Sequence, residues 1–132
     1  MSLSENDKKV AIGLLIEKSI RNMQQAVKNA ELDYWDLVAN RLYYSVFHAV
    51  TALMMQDGVV AQTHKGTSSQ FGQHYVLTGI FDRMDGILYS RLQTMREKAD
   101  YQNVFNLSPE KGEILIREAQ DLQNKIISRI NN

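Results

Sequence analysis

The most constraining stretch of this chain runs from about Asp33 to about Gln56. There Val38, Leu42, Tyr43, Val46, Phe47, Ala49, Val50, Leu53 and Met54 would place apolar side chains around nearly the whole circumference of a helix. A helix apolar on all sides is a central one, buried between neighbours, so the rest of the chain must wrap it. One column breaks the pattern. Asn40, Tyr44 and His48 fall at i, i+4 and i+8 and stack on one face, with Arg41 on its shoulder. Buried polar groups cost free energy unless they are hydrogen-bonded, so these side chains either satisfy one another or face a cleft.

The flanking segments read as helices of a more ordinary kind. From about Glu5 to Ala30 the positions Ile12, Leu15, Ile16, Ile20, Met23, Val27 and Ala30 follow helical spacing with Lys, Gln and Asn opposite. The short link Glu31-Leu32-Asp33 favours antiparallel packing of the first two helices, and Asp33 is expected to cap the second. Asp57-Gly58 reads as a helix stop, and residues 57 to 67 as a connection. A short helix is expected from about Thr67 to Leu77, closed by Gly79. Ile80, Met84, Ile87, Leu88, Arg91 and Met95 mark a helix from about Phe81 to Lys98, with Leu92 and Ala99 extending the stripe. Residues 102 to 107 form a loop with apolar anchors. Ser108-Pro109-Glu110 then gives a cap, a proline at the first helical position and an acid in the first turn. The last helix follows to about Arg129, burying Leu115, Ala119, Leu122 and Ile126. Four substantial helices and one short one result, without internal repeat or interdomain linker.

A length of 132 residues suits a single domain over 1–132, able to bury roughly two thirds of the surface its unfolded form exposes. Fifteen basic residues balance fifteen acidic ones, so no global field recruits nucleic acid and any such contact must come from a local patch. The absence of cysteine removes disulfides and thiolate metal sites. No apolar run approaches a membrane span, and the opening MSLSENDKK lacks the order of a signal peptide, so a cytoplasmic protein is expected. The histidines His48, His64 and His74 have no zinc spacing, no Glu-x-x-His pair suits a di-iron bundle, and no phosphate-binding glycine loop occurs; no metal or cofactor is expected.

Three features could carry chemistry. The first is the Asn40, Arg41, Tyr44, His48 column, which could hold a phosphate or a base, or could simply bond internally and fix packing. The second is Thr63-His64-Lys65-Gly66-Thr67, where a loop meets a helix start; free N–H groups and a lysine attract anions, while a capped solvated loop needs no ligand. The third is Arg96 with Asp100 and Tyr101. The i, i+4 spacing of Arg96 and Asp100 allows an ordinary ion pair worth a few tenths of a kcal/mol, yet the trio sits at a helix end, where sites in bundles often lie.

Together these features are more specific than any alone. Asn-Arg-x-Tyr-Tyr-x-x-Phe-His-Ala at 40 to 49, His-Lys-Gly at 64 to 66, Leu-Tyr-x-Arg at 88 to 91 and Arg-x-x-Ala-Asp-Tyr at 96 to 101 resemble the HEPN superfamily, in its branch of small stand-alone prokaryotic proteins. The resemblance covers most of the chain in the right order. It implies an all-α, up-and-down four-helix bundle with one additional short helix, a homodimer, and association with RNA or a nucleotide. Many such relatives act with a small nucleotidyltransferase partner as a toxin and antitoxin pair.

Active ribonucleases of the superfamily share an arginine followed, after four to six residues, by a histidine. Arg96 fits the arginine, but positions 101, 102 and 103 hold Tyr101, Gln102 and Asn103. Metal-free RNA cleavage needs one group to activate the ribose 2′-hydroxyl and another to steady the phosphorane, roles suited to an imidazole and a guanidinium. Arg96 suits the second. Candidates for the first are His48 or His64 from other helices, Asp100, or Tyr101. Three readings follow: an RNA- or nucleotide-binding bundle using Arg96, Asp100, Tyr101, His64, Lys65 and the Asn40 column; a divergent metal-independent endoribonuclease using the same residues; and a structural or protein-interaction bundle whose polar column is internal.

Overall fold

The computed structural model describes residues 4–102 and 104–130. Asn103, one of the three positions open to the motif histidine, and the first three residues lie outside them. Five α-helices occur in the order α1 (Glu5–Glu31), α2 (Trp35–Asp57), α3 (His64–Phe71), α4 (Arg83–Tyr101) and α5 (Pro109–Arg129), with a π-helical turn at Gly72–Val76. No strand occurs among the described residues. The fold is the all-α bundle expected, with α1, α2, α4 and α5 as the long helices and α3 as the short one.

The second helix is the centre. It packs against α1, α3, α4 and α5, and Val38, Leu42, Tyr43, Val46, Ala49, Val50 and Leu53 are fully buried. Each large apolar side chain so buried contributes roughly 1.5–3 kcal/mol relative to exposure. Gly58, at φ 73°, ends the helix in the left-handed conformation that the Asp57-Gly58 pair suggests. The beginning differs from expectation. Asp33 does not cap α2; it takes φ 60° in the link, and its carboxylate accepts from Trp35 Nε1 at 3.3 Å. Reversing the chain within so short a link requires a left-handed residue, which Asp tolerates better than most.

Local chemistry sets the other boundaries. Ser4 caps α1 by accepting from the Asp7 N–H at 3.0 Å. The short third helix begins at His64, earlier than the expected Thr67, because Thr63 Oγ1 accepts from the Gly66 N–H at 2.8 Å. A side chain at 66 would come within 2.9 Å of that hydroxyl, so glycine is what lets the cap close. At α5, Ser108 accepts from Lys111 N–H with Pro109 in the first turn, as expected. The approach of α5 to α2 is very close: a Cβ on Gly112 would lie 2.4 Å from the Trp35 ring.

Helical period located α4 but not its inward face. Tyr89, Leu92 and Arg96 are buried, whereas Ile80, Met84 and Ile87, which set the expected stripe, are 39%, 68% and 45% exposed. Ile20 and Val27 of α1 are likewise exposed. Leu115, Ala119, Leu122 and Ile126 of α5 are buried as read.

One polar cluster is wholly internal. Ser19 of α1 donates to the carbonyl of Ser45, Gln123 Nε2 of α5 donates to both the carbonyl and the hydroxyl of Ser19 at 2.9 Å, and the Ser45 hydroxyl donates to the carbonyl of Leu42. All three side chains are buried. They bolt α1, α2 and α5 together.

Candidate functional site

On the side of α2 facing α4 lies a second polar cluster, of different construction. Asn40 Nδ2 donates to the two carboxylate oxygens of Asp100 at 3.1 and 3.3 Å. Arg96, one turn back on α4, places Nη1 3.6 Å from the same carboxylate. Its guanidinium carbon lies 5.0 Å from the Tyr43 ring centroid and 5.8 Å from that of Tyr44, within cation–π range. The Tyr43 hydroxyl is 2.7 Å from Nδ1 of His64, which α3 delivers to the cluster. The His64 ring packs on Phe47 at 4.5 Å and edge-on to Tyr44 at 5.8 Å, and His48 lies 5.9 Å from Tyr44 along the column. Tyr89 of α4 stacks nearly parallel to Tyr43 at 6.2 Å.

Burial governs the protonation of these groups. Tyr43 is pushed up to about 12, mainly by burial and against the pull of the Arg96 guanidinium. Burial also raises Tyr89 strongly, with the Tyr43 hydroxyl adding to the effect. His64 is lowered by burial and then by Arg96; His48 is lowered by burial, then by Lys18 and His64. At neutral pH the cluster therefore consists of two neutral imidazoles, neutral phenols and one guanidinium–carboxylate pair.

Its accounting does not close. Buried side-chain atoms without a hydrogen-bond partner, among the described residues, are Asn40 Oδ1, His48 Nδ1, Tyr89 Oη and Arg96 Nε. All four belong to this cluster. Arg96 is 9% exposed, yet it has donors to spare. Unpaired buried polar atoms are rare in folded proteins, and these four fall in one cluster.

The sequence-derived residues divide accordingly. Asn40, Tyr44, His48, His64, Arg96 and Asp100 come together. Arg41 turns the other way, its Nη1 donating to Asn22 Oδ1 and Gln25 Oε1 of α1 at 3.2 and 3.3 Å. Lys65 is exposed on the first turn of α3, and Tyr101 is 79% exposed at the end of α4. Tyr43 and Tyr89 were not read as site residues, because helical period assigns both to apolar faces; the Leu-Tyr-x-Arg string at 88 to 91 was the one signal that touched Tyr89. No group of three or more His, Asp or Glu side chains suited to hold a metal occurs among the described residues, and none of their helices is long and apolar enough to cross a membrane.

A family model described as HEPN domain matches residues 12–129. Among curated relatives, "Putative toxin MJ0605" of Methanocaldococcus jannaschii is 30% identical over 126 residues, 95% of this chain and 92% of that protein. "Putative toxin MJ0142" of the same organism is 24% identical over 111 residues, 84% of this chain and 76% of that one. A "UPF0332 protein" of Thermotoga maritima is 30% identical over 87 residues, 66% of each chain. The chain belongs to the HEPN family.

Proposed function

We propose that this HEPN-family chain is a cytoplasmic, dimeric member of a toxin–antitoxin-type pair, which binds RNA or a nucleotide at the Arg96–Asp100–Asn40 cluster and acts with a small nucleotidyltransferase. The convergence of four unpaired buried polar atoms on one cluster carries the reading. A phosphodiester or nucleotide supplies what they lack: anionic oxygens for Arg96 and polar edges for Asn40 and His48. Lys65 and the exposed ring of Tyr101 flank the cluster, one suited to a phosphate and the other to stacking on a base. The toxin names of the two archaeal relatives support the paired system. The exposed apolar residues Leu77, Ile80, Met84 and Ile87, from the turn before α4 into its first turns, support a second copy docking along that helix.

A specific observation favours a catalytic version. His64 sits where Tyr43 and Arg96 meet and is held neutral, so it is suited to replace the motif histidine that the end of α4 lacks. It would take the proton of a ribose 2′-hydroxyl as that oxygen attacks phosphorus; the 5′-oxygen leaves with a proton from solvent, and Arg96 steadies the charge on the phosphoryl oxygens.

The test is RNA and nucleotide binding by the purified chain under chelator, for wild type, Arg96→Ala and His64→Gln. Arg96→Ala should weaken binding at least about tenfold, the scale of a lost charge-assisted contact. Cleavage by wild type that His64→Gln abolishes with binding intact selects the catalytic version. If Arg96→Ala lowers stability but leaves affinity unchanged, the cluster is packing and the binding proposal fails.

A further inference from the structure

A cavity of about 530 Å³ opens between the start of α2 and the connection from α4 to α5, outside the cluster described above. Its size lies within the roughly 300–1,000 Å³ of small-molecule sites. Its walls are aromatic and hydrogen-bonding: Trp35 and Phe105, with Asp36, Gln102, Asn106 and Asp33, the last already accepting from Trp35 Nε1. Trp35 is held on two sides, by the bond from Nε1 to Asp33 and by the close approach of its six-membered ring to Gly112, so it offers a fixed platform. Among the described residues, no Lys or Arg lines the cavity. It is therefore unsuited to a phosphate and suited to an uncharged planar group with hydrogen-bond donors.

The cavity neighbours the proposed site in position on both helices. Asp36 lies at i−4 from Asn40 on α2, and Ala99, also in the cavity wall, directly precedes Asp100 on α4. We infer that this cavity is the base subsite of the RNA or nucleotide site, and that it selects bases with an exocyclic amino group, cytosine, adenine or guanine, over uracil. The inference rests on the binding reading above and adds to it the class of base. Ring stacking on Trp35 and Phe105 is indifferent to base identity. Selectivity comes from Asp36, which when ionised only accepts: an exocyclic amino group donates to it, whereas uracil presents one ring N–H flanked by carbonyl oxygens whose lone pairs oppose the carboxylate.

Trp35 is the sole tryptophan, so its emission reports this cavity alone. The experiment titrates the full-length protein with CMP, AMP and UMP, exciting at the red edge of the indole band, for wild type, Asp36→Asn and Phe105→Leu. The expected result is saturable quenching by CMP or AMP at concentrations about fivefold or more below those UMP requires. Asp36→Asn should remove most of that preference and Phe105→Leu should weaken all three, each with an unchanged circular dichroism spectrum. Equal quenching by the three, or a preference that survives Asp36→Asn, overturns the selectivity. RNA binding that depends on Arg96 without any effect on Trp35 emission overturns the subsite and leaves the main site standing; loss of Arg96-dependent binding removes both.

Discussion

Two polar clusters border α2, and they are built on opposite plans. Toward α1 and α5, Ser19, Ser45 and Gln123 are buried and bond only to one another and to backbone carbonyls. Toward α4, Arg96 and Tyr89 are buried and Asn40 and His48 partly buried, yet each retains a buried atom without a partner, and the Asp100 side chain at the rim is 28% exposed. The same helix thus uses polarity in two ways. A cluster with no buried polar atom left unpaired holds helices in register. An unsaturated one costs stability in the free protein, and that cost is sensible where a ligand offsets it. This contrast is why we assign binding to the second cluster and not the first.

Four measurements would break or sharpen the contrast. Gln123→Ala removes the amide that occupies both Ser19 acceptors and leaves a hole in the core; it should lower unfolding free energy by about 3 kcal/mol in a denaturant titration, with RNA affinity unchanged. Tyr43→Phe deletes the hydroxyl that meets His64 Nδ1 but keeps the ring against Arg96. A loss of about 1.5 kcal/mol is expected, and the His64 ring signals followed by NMR should shift in their titration. Asn40→Ala should cost less, about 0.5 kcal/mol, because Asp100 keeps both Arg96 and solvent, while RNA affinity falls several-fold. Were Asn40→Ala to cost as much as Gln123→Ala, the two clusters would be alike and the distinction would collapse.

The fourth effect is spread over a titration. His48 and His64 have folded-state values below the ordinary imidazole value of 6.5. Below that pH the unfolded chain takes up protons that the folded chain refuses, so stability is intact above about 6.5 and falls as the solution is acidified toward the depressed folded values. The thermal midpoint should drop over that acid range. Replacing both histidines by glutamine should flatten the profile there.

Much of this architecture was legible in the sequence. The apolar circumference of residues 38 to 54 announced a central helix, Asp57-Gly58 and Ser108-Pro109 marked boundaries, and the spacing of Asn40, Tyr44 and His48 placed the three on a shared face. What escaped has physical reasons. Periodicity gives a helix but not its rotation, so Met84 and Ile87 passed for core while Tyr89 and Arg96 took the inward side. Tyrosine is apolar over most of its surface, so hydropathy hid the hydroxyl of Tyr43, which the fold uses to hold His64. Asp33 was read as a cap because its type suits one; chain reversal in a short link claimed it for a left-handed turn instead. Arg41, beside the column in sequence, was drawn to the amides of α1.

The π-helical turn at Gly72–Val76 sets a limit on how this protein can change in length. Its wide turn, closed by Leu77 N–H to the Gly72 carbonyl at 2.9 Å, holds one more residue than an α-helical turn. Inserting one more residue there, beyond the extra one the wide turn already accommodates, would rotate the residues that follow by about 100°. Phe71, Tyr75 and Phe81, which now pack on one another, would no longer face inward together. The phase between the arm carrying His64 and the helix carrying Arg96 would be lost with them. Loop insertions elsewhere are a matter of entropy; here, residue number is itself a mechanical setting.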